Sequence, residues 1–402
     1  MKSVYRSLSL WHALGAGHRL KPAVQEALLV PEVLSHSEAV RSCCFLGDGL
    51  RSPLNTAKFN LNNEAQWYVV ESNMAKALQM DKILPLAYRK QVDTFSECAF
   101  MIRRHLLDLI NCIQQMDSSS PVVRYVLYGK HGVGKTITLC QMVHYAHSQG
   151  FIVCHVPFAR VLMRNFKELA ASSFKPGRID MPLDAAAWLQ SFKSRNEQLV
   201  DALEMKTTKD YVWGARDSSS AGTSLNALAD FGIARPKFAT DCLCVILKEL
   251  KHHACLNRCK VMITIDCVNS FWGETWASRP DKTRALPSDL TIVRAFKKLL
   301  KNDWTNGAVV VSVDAREHVR DDRNNSYSPL FLLGKQGFEW LDPFVPIEIP
   351  YYSDKEARSV LSYFDSKHWL QHESVHTSEG VSQLIHLSGL NPMVLQSICN
   401  FV

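Results

Sequence analysis

The run Gly129-Lys130-His131-Gly132-Val133-Gly134-Lys135-Thr136 has a Gly, four intervening residues, then Gly-Lys-Thr. Glycine adopts backbone angles closed to other residues, so a loop spaced this way can turn successive N–H groups inward around phosphate oxygens. A helix starting at its end would add the positive end of its dipole to that cradle. Lys135 then reaches the terminal phosphates, Thr136 offers a hydroxyl to Mg²⁺, and Ile137 completes the phosphate-binding set.

The second half of such a site is an acid at the end of a buried strand. Asp266 closes the apolar run Val261-Met262-Ile263-Thr264-Ile265 and fits a role in holding Mg²⁺ through water. Many P-loop ATPases follow that Asp with a Glu that polarises the attacking water, but here Cys267 follows. Unless Glu274 or a remoter residue serves as base, hydrolysis is expected to be slow or absent. Ser312 and Asp314 stand at the tip of another apolar run, where a polar side chain can sense the terminal phosphate. Asn391, ahead of Pro392, is placed to approach the phosphates at the start of a late helix. For these three, local capping or solvation is an equal alternative to ligand contact.

The elements around these residues have the right order. Residues 122–128 are β-branched and aromatic, as a strand requires, and lead directly into Gly129. Residues 137–147 carry helical spacing and stop at Gly150, and 151–156 form another apolar strand. Strand, glycine loop, helix and strand make a βαβ unit with a parallel sheet. Asp184 is expected to cap a helix running through Trp188, Phe192 and Leu199, and 214–224, rich in Ser and Gly, reads as a mobile loop or linker. Helices near 240–250 and 288–300 feed strands at 261–265 and 308–312, and 345–349 reads as a last strand. After Pro350 the chain turns helical: Ser353 and Glu356 form a capping-box pattern, a second helix starts at Thr377 and ends at Gly389, and Asn391 caps a third. The division expected is a targeting segment over 1–26, an N-terminal extension over 27–80, a P-loop domain over 81–350 and a helical lid over 351–402.

Composition narrows the class. Hydrophobic residues at 47% and charged residues at 21% are the balance of a folded chain, and no apolar run nears the roughly 20 residues of a membrane span. The first 25 residues hold Lys2, Arg6, Arg19 and Lys21 with no acid before Glu26, and wound as a helix put Val4, Leu8 and Trp11 on one face. That is the pattern of a mitochondrial import signal. The net charge of +7 fits either a basic solvated surface or a nucleic-acid surface. Many of the cysteines sit in apolar runs, as small buried hydrophobes do in a reducing compartment. The group Cys242, Cys244, His252, His253, Cys255 and Cys259 has none of the common zinc spacings. No N-K-x-D guanine-reading motif is present; Thr208-Lys209-Asp210 is a poor echo, and the residues alone lean to ATP.

Residues 125–136 closely resemble the P-loop of the death-associated protein three family, GTP-binding proteins of the mitochondrial small ribosomal subunit. The resemblance extends to Thr94-Phe95-Ser96-Glu97-Cys98, to Pro182-Leu183-Asp184-Ala185-Ala186-Ala187-Trp188-Leu189 and to Asp266-Cys267-Val268-Asn269-Ser270-Phe271-Trp272-Gly273. Lys301-Asn302-Asp303-Trp304, Leu341-Asp342-Pro343-Phe344, Trp369-Leu370-Gln371-His372 and Asn391-Pro392 continue it, over about residues 65–402. It implies an α/β fold with an AAA-like P-loop NTPase core, a parallel sheet and a C-terminal helical lid. It also implies GTP or GDP in place of ATP, the mitochondrial matrix, and contacts with small-subunit ribosomal RNA, neighbouring ribosomal proteins and a bridge to the large subunit. An association with apoptosis belongs to the family and has no support in the residues. Two functions stand: a nucleotide-holding structural subunit, and a free P-loop switch NTPase, with apoptotic signalling as its setting.

Overall fold

The computed structural model describes residues 56–279, 281–317 and 326–402. The targeting segment expected over 1–26 and the extension up to residue 55 lie outside them. All described residues belong to one compact unit, Leu46–Val402.

Two strands, β1 (Trp67–Val70) and β2 (Cys98–Met101), pair antiparallel. Five more, β3 (Val123–Tyr128), β4 (Phe151–Val156), β5 (Lys260–Ile265), β6 (Gly307–Ser312) and β7 (Val345–Glu348), form a parallel sheet in the order β7-β3-β6-β5-β4. The central strands are near-continuous Val, Ile and Met because both faces of a parallel sheet are covered; every residue of β4 and β6 is buried. The edge strand β7 accommodates Pro346, whose missing N–H would break a central ladder. This order puts β6 between the P-loop strand β3 and the acid-bearing strand β5. The carboxyl tips of three adjacent strands therefore carry Gly129, Ser312 and Asp266 side by side. It is the strand arrangement of an AAA-like P-loop fold.

The longer helices are α1 (Leu86–Phe95), α2 (Arg104–Gln114), α3 (Lys135–Ser148), α4 (Pro182–Ala202), α5 (Leu225–Ala234), α6 (Pro236–Cys255), α7 (Thr291–Leu299), α8 (Pro329–Leu341), α9 (Asp354–Ser366), α10 (Ser378–Ser388) and α11 (Pro392–Cys399). Helices α4 to α8 cover one face of the sheet, with Leu189, Phe192, Leu243, Ile246 and Phe296 in that core. Helices α2 and α3 cover the other, with Leu106, Leu109, Leu139 and Met142.

The β1–β2 pair is a partition. Alternation along it sends Tyr68, Val70, Cys98 and Phe100 into the α2–α3 core. Trp67, Ala99 and Met101 point the other way, into a third core built with Ala357, Leu361, Phe364 and Leu395 of α9 and α11. Trp67 stacks on Tyr363 with ring centroids 4.0 Å apart, and its indole N–H donates to Ser359 Oγ at 3.1 Å. Residues set apart in the sequence as extension and lid thus meet across one shared core.

Two local expectations give way. Asp184 is not a cap: Pro182 takes the first helical position of α4 and Met181 precedes it. Its carboxylate instead accepts the Lys167 N–H at 3.0 Å, tying a preceding loop to the helix. The stretch 214–224 is partly ordered as a small ladder, Tyr211–Val212 against Ser218–Ser219. Of the Cys/His group, Cys242 and Cys259 are buried while Cys255 is exposed. Among the described residues no three His, Cys, Asp or Glu side chains converge on a cation position.

Candidate phosphate-binding site

The loop after β3 has positive φ at Gly129 (+145°), Gly132 (+82°) and Gly134 (+104°), where α3 begins. Space matters as much as angle at the first two. A Cβ on Gly129 would lie 2.5 Å from the Ile349 carbonyl oxygen, and one on Gly132 would lie 2.7 Å from Asn391 Oδ1. Val133 between them is buried in the α2–α3 core and anchors the loop. No acid lies in the first turn of α3 itself, so its N-terminal N–H groups carry no carboxylate from their own helix.

Lys135 is buried, and its ammonium donates to the carbonyls of Gly129 and Lys130, both at 2.9 Å. Burial pushes its pKa below the usual lysine value, with Asp314 opposing. The ammonium is thus folded back over the loop that the motif assigns to phosphates. Thr136 Oγ1 donates to Asp266 Oδ2 at 2.9 Å, and Ser312 Oγ donates to Asp266 Oδ1. The Ser312 hydroxyl in turn accepts the Cys267 N–H at 2.9 Å. Asp266 is fully buried, and burial pushes its carboxyl up against the lowering effect of those two hydroxyls. A hydroxyl and a carboxylate in contact at a helix N-terminus are hard oxygen donors of the kind Mg²⁺ takes, completed by water and phosphate oxygens. The positive-φ loop and this donor set fit a nucleotide phosphate with its magnesium.

Asp314 is differently committed. Burial would raise its carboxyl, but Arg316 outweighs that and holds it below the ordinary range. Arg316 donates to it from Nη2 at 2.7 Å and from its backbone N–H at 2.9 Å, while Asn269 brackets the Asp314 backbone. His131 lies beside this pair; burial first, then Arg316, keeps its imidazole below its usual pKa. Among the described residues no carboxylate takes the place of the absent Glu. Cys267 is buried with its thiol pKa driven well up, Glu274 is exposed, and Glu317 is paired with Arg160 at 3.2 Å and Arg164 at 3.6 Å.

Asn391 serves the loop's geometry. Its Oδ1 caps α11 through the N–H groups of Met393 and Val394, and its Nδ2 donates to the His131 carbonyl at 3.1 Å. The Met393 N–H adds a bond to the Gly132 carbonyl at 3.2 Å. Sequence reasoning missed the stronger link. Arg103 is buried between β2 and α2, with Nη1 donating to the Val133 carbonyl at 2.8 Å. Its other nitrogens reach Glu356 at 3.0 Å and the carbonyls of Pro350 and Tyr351, and its guanidinium lies 4.8 Å from the Tyr352 ring centre. Glu356 also closes the capping box of α9 with Ser353. A lone Arg beside Arg104 at a helix start carries no sequence signal of such a role; Arg316, two residues beyond Asp314, sits where an arginine at a strand tip could have been suspected.

Together the loop, Arg103, Arg316 and the lid enclose a cavity of about 390 Å³ that extends from Thr136 to Leu86 and Gln396. A sequence profile of the mitochondrial ribosomal death-associated protein 3 family matches residues 100–397. The chain belongs to this family. It is 37% identical over 319 residues to the small ribosomal subunit protein mS29 of Bos taurus, covering 79% of this chain and 80% of that protein. The protein of the same name from Mus musculus is 37% identical over 348 residues, covering 87% and 88%. Among solved structures, Cdc6p from Pyrobaculum aerophilum aligns at 12% identity with a TM-score of 0.33, over 82% of this chain and 64% of that one. A score that low carries no argument, and the fold rests on the strand order. The family match takes in the glycine loop, Asp266, Ser312 and Asn391, but begins after β1 and α1.

Proposed function

We propose that the chain is a structural component of the mitochondrial small ribosomal subunit, in the matrix, that holds a guanine nucleotide with Mg²⁺ and supports mitochondrial translation. The ribosomal part is supported by the relatives, each named a small ribosomal subunit protein. The net charge of +7 agrees with contact to small-subunit ribosomal RNA. Neighbouring ribosomal proteins and a large-subunit contact are what the resemblance adds.

One observation carries the structural rather than catalytic role of the nucleotide. Asp266 is joined to Thr136 and Ser312, yet the next side chain is a buried thiol and not a carboxylate able to activate water. The residues would bind without turning over: the loop N–H groups and Lys135 hold the phosphates, Thr136 and Asp266 hold the magnesium, and Asn391 and Arg103 keep the lid on the loop. Magnesium supplies charge neutralisation at the phosphates. Ligand at about 100 times its dissociation constant would add about 2.7 kcal/mol of stability. The test is to purify the full chain, release its nucleotide by denaturation and follow hydrolysis of added GTP and ATP. Retained guanine nucleotide and turnover far below about one per second are expected; turnover of several per second, ordinary for an enzyme, would overturn the structural role.

A second function, a free switch NTPase in apoptotic signalling, is favoured by one feature: the lid touches the loop directly through Asn391, Met393 and Arg103. It requires different protease cleavage near Pro350 in diphosphate and triphosphate states. Identical patterns count against it.

A further inference from the structure

The cavity has two unlike ends. At one are the loop, Lys135 and Arg316; the other is walled by Leu86 and Tyr88 of α1 and by Tyr352, Phe364 and Met393 from the lid side. Gln91 of α1 and Gln396 of α11 interrupt that apolar wall. They come from opposite ends of the chain, and Gln396 Nε2 donates to Gln91 Oε1 at 2.8 Å. The same two residues line an adjoining cavity of about 420 Å³, with Lys90, Phe95 and Trp369 beyond them. With Leu86, Ala87 and Phe364, which also line both cavities, the amide pair forms the partition at the far end of the phosphate cavity.

Resting on the nucleotide role given above, we propose that Gln91 and Gln396 are the residues that read the base, and that they read it as a purine. A carboxamide has one acceptor oxygen and two N–H donors. In the joined pair one carbonyl and one N–H are used, which leaves a carbonyl on Gln396 and an NH₂ on Gln91 to face the ligand. Turning both amides over preserves their mutual bond and exchanges the two free groups. Guanine offers an acceptor at O6 beside a donor at N1; adenine offers a donor at N6 beside an acceptor at N1, the reverse order. The pair meets guanine in one setting and adenine in the other, so it discriminates between purines only weakly. A pyrimidine carries similar edge groups on a smaller ring and falls short of the pair once its phosphates are in the loop. The apolar and aromatic side chains cover the base faces.

The test titrates the full chain with GDP, ADP, CDP and inorganic tripolyphosphate in Mg²⁺ by equilibrium dialysis. GDP and ADP are expected within about tenfold of each other and CDP at least about tenfold weaker, since a missed hydrogen-bonded edge leaves the half-buried amides unpaired beneath the bound base. Gln396→Glu makes one partner an acceptor only, which suits guanine's N1–H and N2–H₂ and opposes adenine's N1. It is expected to raise the GDP-to-ADP affinity ratio at least about tenfold while tripolyphosphate binding is unchanged. Gln91→Glu, with the same sign expected, is the second variant, and the melting transition of each establishes that it is folded. A ratio that stays within about twofold in the folded variants, or a native chain that excludes ADP by more than about 100-fold, overturns the proposal. If tripolyphosphate binds as tightly as the diphosphates, base reading alone falls. If the native chain binds none of the four probes, the nucleotide role fails and base reading falls with it.

Discussion

The two ends of the cavity are built in opposite ways. The phosphate end is local: eight consecutive residues make the loop, and Asp266 and Ser312 stand at the tips of β5 and β6. The base end is assembled from α1, Arg103, α9 and α11, segments separated by up to about 300 residues and held by packing. A strand tip can move little when its ladder is paired on both sides. A wall made of two helices and a lid can be re-cut without touching the sheet. In the function proposed above, phosphate chemistry falls on the rigid end and the base-side wall on the adjustable one.

The sharpest way to break this contrast is to cut the link between the ends. Arg103→Ala leaves Glu356 buried without its partner, and a loss of about 3–5 kcal/mol in denaturant unfolding is expected. Replacing both by Met should restore part of it, because the desolvation penalty of both charges is removed. A loss under about 1 kcal/mol, the range of exposed pairs, would mean that the lid is held by its apolar core alone. Next in size is Lys135→Ala. The stabilisation by added nucleotide, about 2.7 kcal/mol at roughly 100 times the dissociation constant, should largely disappear, while the ligand-free melt moves little. An unchanged thermal-shift titration would misplace the site.

Gly132→Ala probes the contact between loop and lid. A positive φ and a Cβ pressed on Asn391 and Met393 should cost about 1–3 kcal/mol and weaken nucleotide binding. Full retention of both would show that the lid gives way freely. The smallest effect separates two neighbouring acids by pH. The carboxyl of Asp266 is raised in the fold, so the native state holds its proton longer than the unfolded chain does. Its contribution to stability falls as pH rises from the unfolded carboxylate value, about 3.9, through the raised native value. Asp314, held low by Arg316, has the opposite sign: its contribution is present above the unfolded value and is lost as pH falls through the native one. Asp266→Asn should therefore raise the melting temperature of metal-free protein at pH 7 more than at pH 4 and abolish any Mg²⁺-dependent rise. An equal change at both pH values would remove Asp266 as the cause.

The same contrast explains what could be read in the chain beforehand. The sheet was legible because β3 to β6 are short β-branched runs with sharp ends, and the glycine loop because its positive-φ turns call for glycine at fixed spacing. The lid's caps at Ser353, Thr377 and Asn391 were legible for the same local reason. Arg103, Gln91 and Trp67 were not, because each acquires its role from a partner more than 250 residues away. Asp184 misled because a good capping residue stood two positions after a proline that already fixed the helix start.

The central claim, a nucleotide-holding ribosomal subunit, is tested most directly by gradient sedimentation of mitochondrial lysate, following this chain and small-subunit ribosomal RNA together. Nearly all of the chain is predicted to travel with the small subunit. A chain found mostly at the top of the gradient, free of that RNA, would contradict the account and put the switch NTPase in its place.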